Sequence, residues 1–257
     1  MRFNMIEGQF DALQTQLNSE LEWLGLEVPD RDQQLLLAHL DLVLEANQCV
    51  NLTRITDPSE AVTLHIVDSL LLYRYFSASQ EKTHLPFLDI GTGAGFPGIP
   101  LSIVSHKKGV LVDSTQKKIK EVSSFISTLR LGRQLETRAI RAEALSSNST
   151  PNSTSKYGTV VARAVGQIAT LLEYASPLLC KHGSLILSKG KLTDKEYDDG
   201  DYAAELLGMK NVSHETLSLP HDAGTRTILC YTKECPSRIK LPRRTGMAQH
   251  HPLIPKQ

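Results

Sequence analysis

Apolar residues in the first third of the chain recur at helical spacing. Residues 5–27, 31–48 and 59–76 read as helices. In the second, Leu35, Leu36, Leu40, Leu42 and Val43 fall near a 3.6-residue period, and Pro29-Asp30 supplies a start. In the third, Val62, Ile66, Leu70 and Tyr73 form one stripe. From residue 86 the pattern changes to short apolar runs that alternate with helical stretches. Runs 86–90, 109–113, 135–140, 158–162 and 183–188 read as strands. Between and after them, 98–105, 115–131, a short piece past 140, 167–180 and 193–207 read as helices. Strand-then-helix alternation predicts an α/β fold with a mostly parallel sheet. At the end, 211–219 and 225–233 are two strands joined by a short Pro/Gly-containing link, which predicts an antiparallel hairpin. The expected architecture is a seven-stranded sheet behind a helical cap, with boundaries at 1–80 for the cap, 81–235 for the core and 236–257 for a tail.

Two stretches lie outside this pattern. Ser146–Ser155 is polar and of low complexity, and reads as a surface loop. Residues 236–257 carry four prolines and little periodicity, and read as a tail rather than a core element. From Lys233 to Gln257 there are six Lys/Arg and one acid. The tail is thus locally basic, while the whole chain of 257 residues carries 28 Lys+Arg against 28 Asp+Glu. Net charge therefore argues neither for nor against a polyanionic partner, and only local clustering can. Apolar residues at 40% and charged residues at 22% permit a packed core and exclude global disorder.

Cysteines at 49, 180, 230 and 235 are too few and too scattered for a disulfide scaffold, and form no Cys-x-x-Cys pair. The histidines fall at no metal-ligand spacing, so no metal is expected. The N-terminus has no basic start followed by an apolar block, and polar residues interrupt every long apolar stretch. The expectation is a soluble, cytoplasmic protein with no membrane partner.

The strongest local signal runs from Phe87 to Pro100, where a strand enters a glycine-dense turn and a helix opens after it. Glycine permits positive φ and close approach of a ligand to the backbone, and the helix N-terminus offers N–H donors. Two registers compete. Gly93-x-Gly95-x-x-Gly98 matches the dinucleotide fingerprint, which would make the chain an NAD-dependent oxidoreductase. Asp89-x-Gly91-x-Gly93-x-Gly95 instead puts an acid at the strand end. A carboxylate there would repel a pyrophosphate but could receive a cationic amino group. S-adenosylmethionine (SAM) carries an ammonium and a sulfonium and no phosphate. The next strand ends at Asp113, near the offset at which an acid takes ribose hydroxyls. The third is followed by Ala142-Glu143, a backbone-and-carboxylate pair suited to an adenine edge. Three successive strand ends thus outline an adenosine pocket with room for a cationic group. A non-catalytic RNA-binding module, suggested by the basic tail, is a third reading.

Residues 89–101, Asp-Ile-Gly-Thr-Gly-Ala-Gly-Phe-Pro-Gly-Ile-Pro-Leu, closely resemble the loop of the glucose-inhibited division protein B (RsmG) family. Further matches follow in order: Asn51-Leu52-Thr53, His65-x-x-Asp68-Ser69, Val112-Asp113-Ser114-Thr115-x-Lys117-Lys118, Arg141-Ala142-Glu143, Arg163-Ala164-Val165, Lys189-Gly190, and the tail from Leu241-Pro242-Arg243-Arg244 to His251-Pro252-Leu253. The resemblance spans about residues 30 to 255. The chain departs from the family's pattern at Val67, after Lys117-Lys118, and in the insertion at 146–155. The resemblance implies a Rossmann-like SAM-dependent methyltransferase that modifies N7 of a guanine in the decoding region of 16S ribosomal RNA. It implies 16S RNA or the small subunit as partner; a monomer is expected. Its implied cofactor set is Asp89, Gly91, Gly93, Phe96, Asp113, Ser114, Thr115, Ala142, Glu143 and Arg163. Asn51, Asp68, Arg163 and Lys189 are its candidates for positioning the substrate. Arg141, Lys189, Arg226, Arg243 and Arg244 are its candidates for RNA phosphates. N7 carries a lone pair and no proton, so no general base is expected.

Overall fold

A computed structural model describes residues 3–4, 6–147 and 157–255. A helical cap comes first: α1 (Phe10–Trp23), α2 (Asp30–Asn47), α3 (Pro58–Ala61), a π-helical turn (Val62–Val67), α4 (Asp68–Leu70) and α5 (Tyr73–Gln80). The core then alternates β1 (Phe87–Ile90), α6 (Gly98–Ser105), β2 (Gly109–Asp113), α7 (Gln116–Thr128), β3 (Leu135–Ala139), α8 (Ala142–Ser147), β4 (Tyr157–Arg163), α9 (Ile168–Ala175), β5 (Leu179–Lys189), α10 (Asp194–Leu206), β6 (Met209–Ser218) and β7 (Thr225–Lys233). A short α11 (Met247–His250) lies in the tail.

The seven strands form one sheet in the order β3-β2-β1-β4-β5-β7-β6. Strands β1 to β5 run parallel, and β7 inserts antiparallel between β5 and β6. The chain winds outward one way from β1 to β3 and the other way from β4, so β1 and β4 flank a topological switch point. Open α/β sheets bind ligands beyond the carboxyl ends of the strands at such a point.

Alternation along the central strands sets what each face holds. Phe87, Leu111 and Val161 face a cluster that runs through α6 and α7 into the cap, including Leu17, Leu36, Leu40 and Ile66. Leu88, Ile90, Val110, Val112 and Val160 face a second cluster built with α9 and α10. The cap therefore shares one core with one face of the sheet. The expected strands are present, and β5 begins earlier than the apolar run suggests, because Leu179 pairs with Tyr157 before the register shifts. The helix expected over 59–76 is divided by the π turn. Positions 146 and 147 close α8 instead of opening a loop, and 148–155 of that expected loop lie outside the described residues. The tail packs against the core: Ile239, Leu241 and Leu253 lie on the second cluster, and Ala248 is buried.

Two buried histidines join cap and core. His39 of α2 donates from Nε2 to the carbonyl of Ala94 at 2.9 Å. Phe96 of the glycine loop lies against His39 at 4.5 Å and is stacked on His65 of the π turn at 4.7 Å. Burial pushes the His39 pKa down to about 4. Burial, and then the Arg163 guanidinium, push His65 down to about 3. Both are neutral at physiological pH. Asp89 is fully buried on the same face, and burial raises its carboxyl to about 7.

These shifts act in opposite senses on stability. Between pH 4 and 6.5 the unfolded chain binds a proton at each histidine that the native state refuses. Over the same range the native state keeps a proton on Asp89 that the unfolded chain has released. One net proton favours the unfolded state, so these three groups lower stability by roughly 1 kcal/mol for each unit the pH drops between 6.5 and 4. Replacing His39 with Gln, which keeps a donor for Ala94, should flatten this slope by about the same amount. Urea melts at pH 4.5 and 6.5 measure it, and parallel slopes in the two proteins would contradict the assignment.

Candidate functional site: a cleft at the strand ends beside a cationic edge

A cleft of about 600 Å³ opens at the carboxyl ends of β1 to β4, within the usual range for small-molecule sites. Its floor is Ile90 and Gly91 from β1, Val112, Asp113 and Ser114 from β2, and Ile140 to Glu143 from the end of β3 and the start of α8. Val165, Gly166 and Gln167 follow β4. Thr170, Leu171 and Tyr174 of α9 and Gln249 of the tail complete the wall.

The glycine loop bends at the floor of the cleft. Gly91 and Gly93 have φ of +76° and +58°, a region that L-residues with a Cβ rarely occupy. A Cβ on Gly91 would also lie 2.6 Å from Val165 Cγ1. Asp113 is fixed by its own neighbourhood: Oδ1 accepts from the Thr115 backbone N–H at 2.8 Å, and Oδ2 from that of Gly93 at 3.3 Å. Each oxygen retains a further lone pair for a ligand.

Of the expected cofactor residues, Gly91, Asp113, Ser114, Ala142 and Glu143 meet in this cleft. Gly93 and Thr115 border it through their bonds to Asp113. Arg141, expected on RNA, lines it as well. Three expected cofactor residues lie elsewhere. Asp89 sits on the opposite face of β1 from Ile90, is fully buried, and accepts from the Gly98 N–H at 2.9 Å. It caps α6 instead of facing a ligand. Phe96 is buried between His39 and His65. Arg163 turns towards the cap, with its guanidinium 5.5 Å from the Phe96 ring centre.

The same contact removes the basis of the dinucleotide register. The Gly98 N–H is occupied by Asp89, and a Cβ there would lie 2.7 Å from Asp89 Oδ2. A carboxylate holds the helix N-terminus that a pyrophosphate would need. Among the described residues, no group of three or more His, Cys, Asp or Glu could hold a metal ion.

A second cluster lies beside the cleft. Asp68, buried at the end of the π turn, accepts from Arg163 Nη1 at 3.0 Å through Oδ2 and from Arg226 Nε at 3.0 Å through Oδ1. Arg163 Nη1 also reaches the Leu64 carbonyl at 2.9 Å. Arg163, Lys189 and Arg226 stand at the same edge of neighbouring β4, β5 and β7. Lys189 pairs with Glu196 at 2.9 Å and donates to the Gly166 carbonyl. Two arginines on one carboxylate leave one positive charge at this edge. Asn51 is exposed on the loop between α2 and α3, and its neighbour Thr53 bonds His65 at 2.8 Å.

In the tail, Arg243 does not face solvent as an RNA contact would. It grips Glu173 of α9 with both arms of its guanidinium and donates to the His251 carbonyl at 2.9 Å. Glu173 is buried, so this pair needs its partner. Arg244 is exposed.

Not foreseen from the sequence are Thr170 and Tyr174, which stand one turn apart on the cleft side of α9, and Gln249. The spacing of the first two is visible in the chain, whereas nothing local marks Gln249. Ile90 and Val112 follow from alternation, since both leave their strands on the face opposite Asp89.

The residues fit SAM. Asp113 suits the ribose hydroxyls, apolar Ile90, Val112, Ile140 and Leu171 suit the adenine faces, and the strained glycine turn admits a ligand close to the backbone. No cluster of cations such as a pyrophosphate would need lines the cleft.

Comparison with known proteins agrees. The model of the GidB family, described as rRNA small subunit methyltransferase G, matches residues 32–225. A protein of Lactobacillus acidophilus named "Ribosomal RNA small subunit methyltransferase G" is 35% identical over 236 residues, covering 91% of this chain and 96% of that one. One of the same name from Deinococcus radiodurans is 35% identical over 233 residues, covering 90% and 89%. Among solved structures, the magnesium protoporphyrin IX methyltransferase of Synechocystis, with bound SAM, superposes with a TM-score of 0.52 at 15% identity. That match covers 76% of this chain and 97% of the other, and shows the shared fold. By sequence match over most of its length, with the fold and the cleft to go with it, the chain belongs to the rRNA small subunit methyltransferase G (GidB) family.

Proposed function

We propose that this protein transfers the methyl group of SAM to N7 of a guanine in the decoding region of 16S ribosomal RNA. Family membership supports a SAM-dependent methyltransferase acting on small-subunit ribosomal RNA. The observation that carries the reading is the pairing of the cleft with the cationic edge at Arg163 and Arg226. One binds an adenosyl group, and the other meets a polyanion beside it.

When bound, SAM supplies a methyl group on a positively charged sulfur. The chain's own residues have three tasks. Asp113 and the Ala142-Glu143 corner hold the adenosine. Gly91 lets the reactive end lie against β1, near the end of β4. Arg163 and Arg226, with exposed Arg141 and Arg244, hold RNA phosphates so that a guanine is presented to that end. The exposed Arg141 and Arg244 can give a phosphate the two parallel hydrogen bonds of a guanidinium fork, while Arg163 and Arg226, engaged with Asp68 and the carbonyls of Leu64 and Thr225, supply positive charge. N7 needs no deprotonation, so catalysis rests on alignment and exclusion of water. The neutral His39 and His65 are buried outside the cleft and fit a site without a titrating base. Among the described residues, no helix is long and apolar enough to cross a membrane.

Incubating the protein with SAM and unmethylated small subunits, then mapping the product by mass spectrometry of nuclease digests, tests the proposal. One guanine in the decoding region should gain a single methyl group at N7. A methyl group on an exocyclic amine, or on another ribosomal RNA, would overturn it. Asp113→Ala should weaken SAM binding about 10- to 100-fold, the loss expected for a hydrogen bond to a charged acceptor worth about 1.5–3 kcal/mol. Calorimetric titration measures this, and an unchanged Kd would move the ribose elsewhere.

A further inference from the structure

The C-terminal strap is part of the cofactor cleft. It returns from β7 across α9 and is pinned at three places. Arg243 holds Glu173, the Gly246 N–H donates to Glu143 Oε1 at 3.0 Å, and Thr170 Oγ1 donates to the Ala248 carbonyl at 2.9 Å. Gly246 turns the chain with φ +83°, and α11 follows at once. Within the strap, Ala248 is buried against α9, while Gln249 is exposed on the cleft wall. The Gln249 side-chain amide has no hydrogen-bond partner among the described residues.

That amide stands at a particular end of the cleft. Asp113, the ribose acceptor, is at β2. Glu143, which the strap itself contacts, follows β3 and marks the end beyond the ribose, where the base must lie. A primary amide presents a donor beside an acceptor. Adenine presents its 6-amino donor beside N7 as well as beside N1; with the N1 side taken by Ala142-Glu143, a glutamine amide matches the 6-amino group and N7 with two hydrogen bonds. We propose that Gln249 hydrogen-bonds the adenine edge of SAM, so that the strap selects the base of the cofactor. The inference rests on SAM occupying this cleft.

The three pins explain how a residue so late in the chain reaches the site. Glu143 and Glu173 are both held by strap groups, so the strap's position is set by the same two helices, α8 and α9, that form the base end. Gln249 needs only its own rotamer to reach the ligand, and its replacement disturbs no pin.

The test compares full-length protein with its Gln249→Ala variant. Each is titrated with S-adenosylhomocysteine and with the analogue in which purine, lacking the 6-amino group, replaces adenine. Wild-type protein should prefer the adenine form. The variant should bind S-adenosylhomocysteine about three- to tenfold more weakly, its preference over the purine form should shrink, and its melting temperature should match wild type. An unchanged affinity, or equal weakening towards both ligands, would overturn the role of Gln249. Wild-type protein that binds neither nucleoside would overturn the SAM reading, and this inference with it.

Discussion

Asp68 is the carboxylate on which the arrangement depends. It ends a π-helical turn in the cap, is buried, and holds Arg163 of β4 and Arg226 of β7 at 3.0 Å each. The pair thereby ties the cap to two strands of the sheet and fixes the side chains of both arginines. Removing one partner of a buried ion pair costs about 3–5 kcal/mol, because the other charge is left uncompensated. One negative charge against two positive ones also leaves the edge cationic. The cluster is held firmly and keeps a net positive charge. The π turn belongs to the same device. Its Leu64 carbonyl accepts from Arg163, and its His65 ring stacks on Phe96. Such irregular turns in helices recur at functional sites.

The glycine loop separates two environments. On the cap side, Asp89 caps α6 and Phe96 is enclosed by two neutral histidines. On the cleft side, Gly91 and Asp113 face space for a ligand. The loop is therefore braced from behind by buried contacts, and the floor of the cleft is set by them. Pre-formed backbone of this kind lowers the cost of binding, since little is left to order.

Much of this was readable in the chain. The central parallel strands β1, β2 and β4 are buried on both faces, so they appear as continuous apolar runs such as Gly109–Asp113, whereas the edge strand β3 is largely exposed and polar. The antiparallel β7 followed from a link too short for a crossover. Asp113 and Ala142-Glu143 were legible because strand ends can be counted. Asp89 was legible as important and misread as to side: alternation between Leu88 and Ile90 places it towards the cap, where it meets Gly98. Phe96 and Arg163 carry the family motif, yet their partners are His39, His65 and Asp68, far away in sequence, and no local pattern announces that meeting. The tail was misread because its prolines and charges conceal three apolar residues, Ile239, Leu241 and Leu253, and because the value of Arg243 lies in Glu173, 70 residues earlier.

The central claim is that cofactor and RNA are held by separate devices, with Asp68 serving the second. Asp68→Asn tests it most directly, through SAM affinity and the rate of methyl transfer to small-subunit RNA measured on the same sample. The account predicts a SAM Kd within about twofold of wild type, as expected when no cofactor hydrogen bond is lost, together with a transfer rate lowered by about tenfold or more, the effect of a positioning loss of about 1.4 kcal/mol. Retained transfer, or SAM binding lost in step with transfer, would contradict it.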